Sequence, residues 1–296
     1  MIFKDVLKER IHHDLGFDFF VKEGAPWSQF NIAFKENAIV CGMIFVPTIL
    51  KLVDEEFFLE PIEDERKPEI KILKKDGEKI SASQVGAEIS GNAEVLLKAE
   101  RTICNVLSEL SGIATHVSCQ LSVISDKSSP QAGSSTEIKR NVFLLDTRKD
   151  DPLMRAEHKY AVRIGGAKNH RAGFFDGILI KDNDIAVYGG IRKAIDRRFH
   201  EEKLLTRVEI EVGNLDDLQA VLDDGRVDAI LLDNMDHGTL KKAIGMINNS
   251  GKSYIVEASG VKEEEIAKIS ETGVTFISLS SLVRKASYID VSMKAV

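Results

Sequence analysis

Three cations stand where two apolar runs end. Val142–Leu145 leads into Asp146, Thr147, Arg148 and Lys149, and Gly177–Ile180 leads into Lys181, Asp182 and Asn183. Each run reads as a buried strand. Later runs of the same kind close on Glu211, on Asp233, on Ser259 and Gly260, and on Ser278–Ser281. A single polar residue at a strand end is an ordinary turn or cap. A series of cations, then acids, then small hydroxyl and glycine residues points to a ligand. Arginine forks match carboxylates bidentately. Glu211 and Asp233 suit ribose hydroxyls or a magnesium ion carried by a pyrophosphate. Ser259, Gly260 and Ser278–Ser281 offer backbone N–H groups and hydroxyls to a phosphate. From Arg148 to Arg171 there are seven Lys/Arg residues against three acids, in a chain of net charge −7. Such a local basic cluster fits a small anionic ligand. A solvated helix face accounts for Arg155, Lys159 and Arg163 but not for cations at strand ends. His170, between Asn169 and Arg171, lies in the same basic loop.

The elements that must position these groups alternate. Six strands are expected, at Val142–Leu145, Gly177–Ile180, Val208–Val212, Ala229–Leu232, Tyr254–Val256 and Thr275–Ser278. Helices fill the gaps, among them Pro152–Ile164, Leu215–Leu222, His237–Asn248 and Lys262–Thr272. Repeated βα units imply a parallel sheet. Six strands fit an incomplete α/β barrel or an open doubly wound sheet equally well.

Residues 1–93 read as a small α+β domain. Phe30–Lys35 and Ala38–Val46 are expected as strands, with a bend at Gly42, and Thr48–Val53 as a short helix. Asp54–Lys67, with Pro61, reads as a loop. Ile70–Leu73 and Lys79–Ala82 read as a hairpin about Asp76-Gly77. His12 and His13 fit a solvated helix end better than a metal site. Asn92–Ile124 carries apolar residues at helical spacing, with Gly112 expected to interrupt it, and Asp126–Arg140 reads as a surface loop.

With 43% hydrophobic and 29% charged residues, the 296-residue chain fits a globular protein with a sizeable core. No apolar run approaches the ~18 residues of a membrane span, and the charged first residues do not read as a secretion signal. Acidity without a basic stripe argues against nucleic-acid binding. Cys41, Cys104 and Cys119 are too dispersed for a metal knuckle and fit free thiols in a reducing cytoplasm.

The chain resembles the decarboxylating quinolinate phosphoribosyltransferase family. The carriers are DTRK (Asp146–Lys149), KYAVRIGG (Lys159–Gly166), NHR (Asn169–Arg171) and LIKDN (Leu179–Asn183). ERT (Glu100–Thr102), LSGIAT (Leu110–Thr115), LLDN (Leu231–Asn234) and EASG (Glu257–Gly260) add to them. The resemblance implies an α/β fold, with an incomplete α/β barrel over 114–282 preceded by an α+β domain over 1–113. The tail at 283–296 would pack back on the first domain. It further implies transfer of phosphoribosyl from phosphoribosyl pyrophosphate (PRPP) to quinolinate, with magnesium bound mainly through PRPP. Arg101, Arg148, His170, Arg171 and Lys181 would hold the quinolinate carboxylates. Lys149, Glu211 and Asp233 would hold the donor, with Ser259 and Gly260, and Ser280 nearby, at its 5-phosphate. Lys149, Lys181, Glu211 and Asp233 are the groups expected to carry catalysis. The family is dimeric, and the residue matching Arg101 reaches into the neighbour's active site.

The sequence departs from the family pattern at Asp150 and Asp151 after DTRK, at Asp184 after KDN, at Val261 after EASG, and at Ser280 near the last strand. Two other enzymes remain compatible with the residues. One is a molybdenum-transport-associated paralogue with a different base; the other is a Schiff-base barrel lyase using Lys181. A catalytically inactive binding protein fits poorly with a complete set of strand-end groups.

Overall fold

The structure, a computed structural model, describes residues 2–16, 24–56, 67–125, 142–201 and 206–296. The expected loops at Asp54–Lys67 and Asp126–Arg140 lie largely outside them. The chain divides into two compact units. One contains residues up to Ser118, Asp150–Gly166 and Leu282–Val296, and the other Cys119–Lys149 and Ala167–Ser281.

The first unit is α+β. Its helices include α1 (Ile2–Leu15), α2 (Val46–Glu56) and the first three-quarters of α3 (Ala93–Ser125). Its main sheet is antiparallel, with β12 (Val291–Ala295), β1 (Trp27–Phe34), β5 (Val85–Asn92) and β3 (Glu69–Ile72) in that spatial order. Phe30, Ile32 and Phe34 alternate inward along β1 and are buried, as one covered sheet face requires. The last strand of the chain therefore completes a sheet begun by the first.

Several expectations for this unit are corrected. Ala38–Val46 is strand only over β2 (Ala38–Ile39). A 3-10 turn follows at Met43–Phe45, because Gly42 adopts φ +105°, which breaks the strand. The expected hairpin does not form. β3 pairs with β5, whereas β4 (Lys79–Ile80) pairs with β2. Asp76 spends its carboxylate elsewhere, accepting from Met43 N at 2.8 Å and Tyr160 OH at 2.7 Å. Nor does Gly112 interrupt α3, which runs unbroken through it. A Cβ on Gly112 would lie 2.0 Å from the Ser287 carbonyl oxygen. Glycine is needed there for close passage of the chain's C-terminal segment, and its helix-weakening cost of about 1 kcal/mol is accepted for that contact.

The second unit holds six parallel strands: β6 (Phe143–Leu145), β7 (Ile178–Ile180), β8 (Val208–Val212), β9 (Ala229–Asp233), β10 (Ile255–Ser259) and β11 (Phe276–Ser278). Their order in space is β6-β11-β10-β9-β8-β7. A doubly wound sheet reverses its strand order at a switch point. Here the order never reverses and the first strand pairs with the last, which is the winding of a barrel left open between β6 and β7. Lys168 lines the open edge of β6, with its N–H donating to the Leu144 carbonyl and its own carbonyl accepting from Asp146 N. The helices α5 (Asp182–Tyr188), α6 (Ile191–Glu201), α7 (Leu215–Asp224) and α8 (His237–Asn249) follow their strands. The expected helix at Lys262–Thr272 is shorter, a 3-10 turn at Glu263–Glu265 followed by α9 (Ile266–Ile269). The helix between β6 and β7, α4 (Arg155–Ile164), groups with the first unit. It starts later than Pro152 because Asp151 first closes a turn on Leu153 N–H.

Candidate active site

β8 reads Val-Glu-Ile-Glu-Val, with both glutamates half-buried and the three apolar residues buried. Period-two alternation therefore puts Glu209 and Glu211 on one face, opposite the face that Val208, Ile210 and Val212 bury. By the same rule Glu257 and Ser259 share a face of β10. These pairs define two levels, one at the strand ends and one a residue pair deeper.

The strand-end level collects several expected residues. β7 and β8 are in register at Ile180 and Ile210, so Lys181 follows beside Glu211, and its Nζ lies 2.9 Å from Glu211 Oε2. Ser259 pairs directly with Asp233 across β10 and β9, and its hydroxyl donates to the Asp233 carboxylate. Asn234 donates to the other Asp233 oxygen at 2.6 Å. Gly260 follows with φ +70°, and a Cβ on it would meet Asn234 Oδ1 at 2.1 Å. Only glycine fits this turn. Ser280 is half-buried just before the short helix α10 (Ser281–Arg284).

At the open edge, Arg148 and Arg171 converge on one ring. The guanidinium carbons lie 4.4 and 5.2 Å from the centroid of Phe174. Arg171 also donates to the Gly177 carbonyl at 3.0 Å. Burial, then the nearby Arg148 charge, lowers the Arg171 pKa. Two like charges held this close suit a dianionic ligand. Lys149 is exposed beside Arg148.

In the deeper level His170 was expected from sequence, whereas its neighbours Glu209 and Glu257 were not. His170 Nε2 lies 3.1 Å from Glu209 Oε2 and 3.6 Å from Glu257 Oε2. Its Nδ1 accepts from Arg171 N at 2.8 Å, and its own N–H donates to Asp146 Oδ1 at 2.8 Å. Burial pushes the Glu257 carboxyl up to about 7, with the Glu209 charge adding to the rise and His170 opposing it. Burial would lower the His170 pKa, but the Glu209 hydrogen bond and both glutamate charges outweigh it and raise it. Glu209 and Glu257 stand two residues before Glu211 and Ser259, and that spacing was the available signal for them.

The departures have structural roles. Asp150 pairs with Arg155 at 2.9 Å and Asp151 accepts from Leu153 N, so both carboxylates have partners within their own unit. Asp184 caps α5 by accepting from Lys181 N at 3.0 Å, and it pairs with Arg198 at 2.8 Å. Arg101 belongs to the first unit, exposed on α3 between Glu100 and Thr102.

Comparison with known proteins bears on both units. The quinolinate phosphoribosyl transferase N-terminal domain matches residues 5–111, and the C-terminal domain of that family matches 130–294. The chain belongs to the quinolinate phosphoribosyl transferase family. A probable nicotinate-nucleotide pyrophosphorylase (carboxylating) of Synechocystis is 33% identical over 88% of this chain and 81% of its own length. One from Methanocaldococcus jannaschii is 32% identical over 98% of this chain and 96% of its own. The solved nicotinate-nucleotide pyrophosphorylase of Francisella tularensis superposes with a TM-score of 0.81 at 29% identity, covering 99% of this chain and 97% of that one. This family has the two-domain architecture described above, an α+β unit and an incomplete barrel. Among the described residues, no helix is long and apolar enough to cross a membrane.

Proposed function

We propose that the protein transfers phosphoribosyl from PRPP to quinolinate with decarboxylation, giving nicotinate mononucleotide, pyrophosphate and carbon dioxide for NAD biosynthesis. The observation that carries this reading is the match of both family domains along one chain, which includes every cationic strand end described above.

Arg148, His170, Arg171 and Lys181 face the quinolinate carboxylates, joined by Arg101 from a neighbouring subunit of a homodimer. Glu211 and Asp233 accept from the ribose hydroxyls, and Lys149 faces the pyrophosphate. Ser259, Gly260 and Ser280 lie at the 5-phosphate. Magnesium arrives with PRPP as part of the substrate, and the metal spreads the negative charge of the departing pyrophosphate. The pyridine nitrogen bonds to the anomeric carbon as the pyrophosphate bond breaks, through an oxocarbenium-like state. No protein nucleophile takes part; positioning and charge stabilisation lower the barrier. The new positive charge on the ring nitrogen accepts the electron pair left when the C2 carboxylate departs, and that carbon then takes a proton. The Lys181–Glu211 pair lies between the two substrate regions, where the ammonium balances both carboxylate and glutamate. A cytoplasmic setting fits the free thiols, of which Cys41 and Cys104 are buried and held protonated by burial.

The test is direct. Protein, magnesium, quinolinate and PRPP should yield nicotinate mononucleotide, with carbon dioxide and pyrophosphate released in equal amounts. Product with another base and none with quinolinate would move the assignment to the paralogue.

A further inference from the structure

Two phenylalanines stand side by side in the loop that leads into β7, and most of each ring faces solvent. Phe174 is 80% exposed and Phe175 83%. A single exposed apolar side chain calls for no explanation, but the loop that carries these two is built rather than slack. The Asp176 carboxylate accepts from Ala172 N at 2.7 Å and from Gly173 N at 2.9 Å, which closes the loop on itself. Arg171 spans its base by donating to the Gly177 carbonyl at 3.0 Å. The two rings then have different neighbours. Phe175 covers Gly173, where a Cβ would come within 2.4 Å of the ring. Phe174 lies against two guanidiniums, with Arg148 at 4.4 Å and Arg171 at 5.2 Å from its centroid. Arg148 follows β6 and Arg171 precedes β7, so the ring joins the two sides of the barrel's opening.

Two guanidiniums this near repel each other, and burial followed by the Arg148 charge lowers the Arg171 pKa. A protein carboxylate would hold them together, but it would occupy the N–H forks that an anionic substrate needs. A ring face attracts a guanidinium through its π quadrupole. It leaves the in-plane N–H donors available for carboxylates. We propose that Phe174 is a positioning residue that holds Arg148 and Arg171 converged in the empty site, ready for the two adjacent carboxylates of quinolinate. Without the ring, repulsion parts the guanidiniums, and the substrate has to draw them together again as it binds. Phe174 thus favours a dicarboxylate over a monocarboxylate, because a single carboxylate needs only one fork. The ring acts through the arginines and takes no part in bond making. The choice of quinolinate as the ligand rests on the proposed reaction.

The experiment compares wild type with Phe174→Leu, Phe174→Trp and Phe175→Leu, varying each substrate in turn. Both side chains are at the surface, so melting temperatures should stay near wild type. Phe174→Leu keeps an apolar side chain and removes the ring face. It should raise KM for quinolinate about fivefold or more, the scale of two exposed cation–π contacts, and leave KM for PRPP within about twofold. Phe174→Trp restores a stronger π face and should bring KM for quinolinate back near the wild-type value. Phe175→Leu controls for a general loss of apolar surface in the loop and should match wild type. Calorimetry with benzene-1,2-dicarboxylate and with benzoate reads the same device without turnover. Phe174→Leu should weaken the dicarboxylate by the same factor and change benzoate little. If wild type makes no product from quinolinate, the reaction is wrong, and the two dissociation constants still decide the role of Phe174. Unchanged dicarboxylate binding in Phe174→Leu overturns that role, as does wild type that fails to bind the dicarboxylate. So do equal losses for both ligands, an equal rise in both KM values, a Phe174→Trp variant as weak as Phe174→Leu, or a loss of the same size in Phe175→Leu.

Discussion

Among the described residues are two largely buried His–Glu pairs of nearly equal length, and they are wired oppositely. In the first unit, His158 of α4 meets Glu109 of α3 at 2.8 Å, and Arg10 of α1 reaches the same carboxylate at 3.2 Å. One carboxylate there serves two basic side chains and ties three helices together. In the barrel, His170 meets Glu209 at 3.1 Å with Glu257 behind it, so one imidazole serves two carboxylates. Burial tends to push Glu109 up, but the hydrogen bonds and charges of His158 and Arg10 win, and its pKa falls. Glu257 rises to about 7, driven by burial and then by the charge of Glu209. An excess of positive partners makes a fastening. An excess of carboxylates makes a store of protons, and that arrangement costs stability that a purely structural pair would not. The first arrangement suits a structural tie and the second a titratable site.

This contrast can be broken most sharply at the barrel strand ends. Lys149→Ala and Lys181→Ala should each lower kcat on the order of a hundredfold or more, as expected for groups acting on transition-state charge. Circular dichroism and melting should stay near wild type, because Lys149 is exposed and the Lys181 side chain is 45% exposed. Near-normal turnover in both variants would remove the strand ends from the chemistry.

In the first unit the large effect should be on stability alone. Gly112→Ala places a Cβ 2.0 Å from the Ser287 carbonyl. Such overpacking typically costs about 1–3 kcal/mol, read as a lowered denaturant midpoint with kcat per folded molecule unchanged. A variant as stable as wild type would show that α3 and the tail can part freely.

Arg101 is where the two regions should meet functionally, across subunits. Arg101→Ala and Lys181→Ala, each inactive alone, should regain about a quarter of wild-type activity when co-expressed. Random pairing in a two-fold dimer leaves that share of sites intact. A dead mixture with mixed dimers demonstrably present would place Arg101 in its own subunit's service.

The smallest effect, and the finest test of the contrast, is the pH dependence of unfolding. Glu109 has a lowered folded pKa, so its stabilisation is present above its ordinary 4.5 and is lost as pH falls through the folded value. Glu257 has a raised one, so its proton-linked stability is complete below 4.5 and is lost as pH rises toward about 7. Glu109→Gln should therefore flatten the acid side of the stability curve, and Glu257→Gln the stretch between 4.5 and 7. Parallel curves for the two variants would mean that the clusters are not opposite in kind.

The barrel was legible because parallel strands are buried on both faces and read as apolar runs. Ile178–Ile180 and Ala229–Leu232 are buried throughout, and both were expected as strands. The boundary that failed is instructive. The strand expected at Tyr254–Val256 in fact runs Ile255–Ser259. Glu257 interrupts the apolar run, as a residue at the end of a strand does. The same residue then escaped the list of site groups. Inside the barrel it meets His170, Glu209 and Ser278, all distant in sequence, and no local pattern carries that information. The missed pairings of β3 and β4 have a similar cause. Asp76-Gly77 is a good local turn, but the strands on either side take partners chosen by distant packing. Residue types at strand ends marked Lys181, Glu211, Asp233 and Ser259. The layer beneath them required the alternation of β8 and β10 to be read inward from those ends.

The pairing of β1 with β12 has a consequence for how the protein is made. Trp27–Phe34 leaves the ribosome about 260 residues before its neighbour Val291–Ala295. At about 5–20 residues per second, the first strand waits on the order of tens of seconds with one edge bare. Throughout that wait the α+β unit cannot be finished, although most barrel strands have already been released. The α+β unit therefore closes only after the barrel strands are released, and a stalled or truncated nascent chain would present the β1 edge as an open template for other strands.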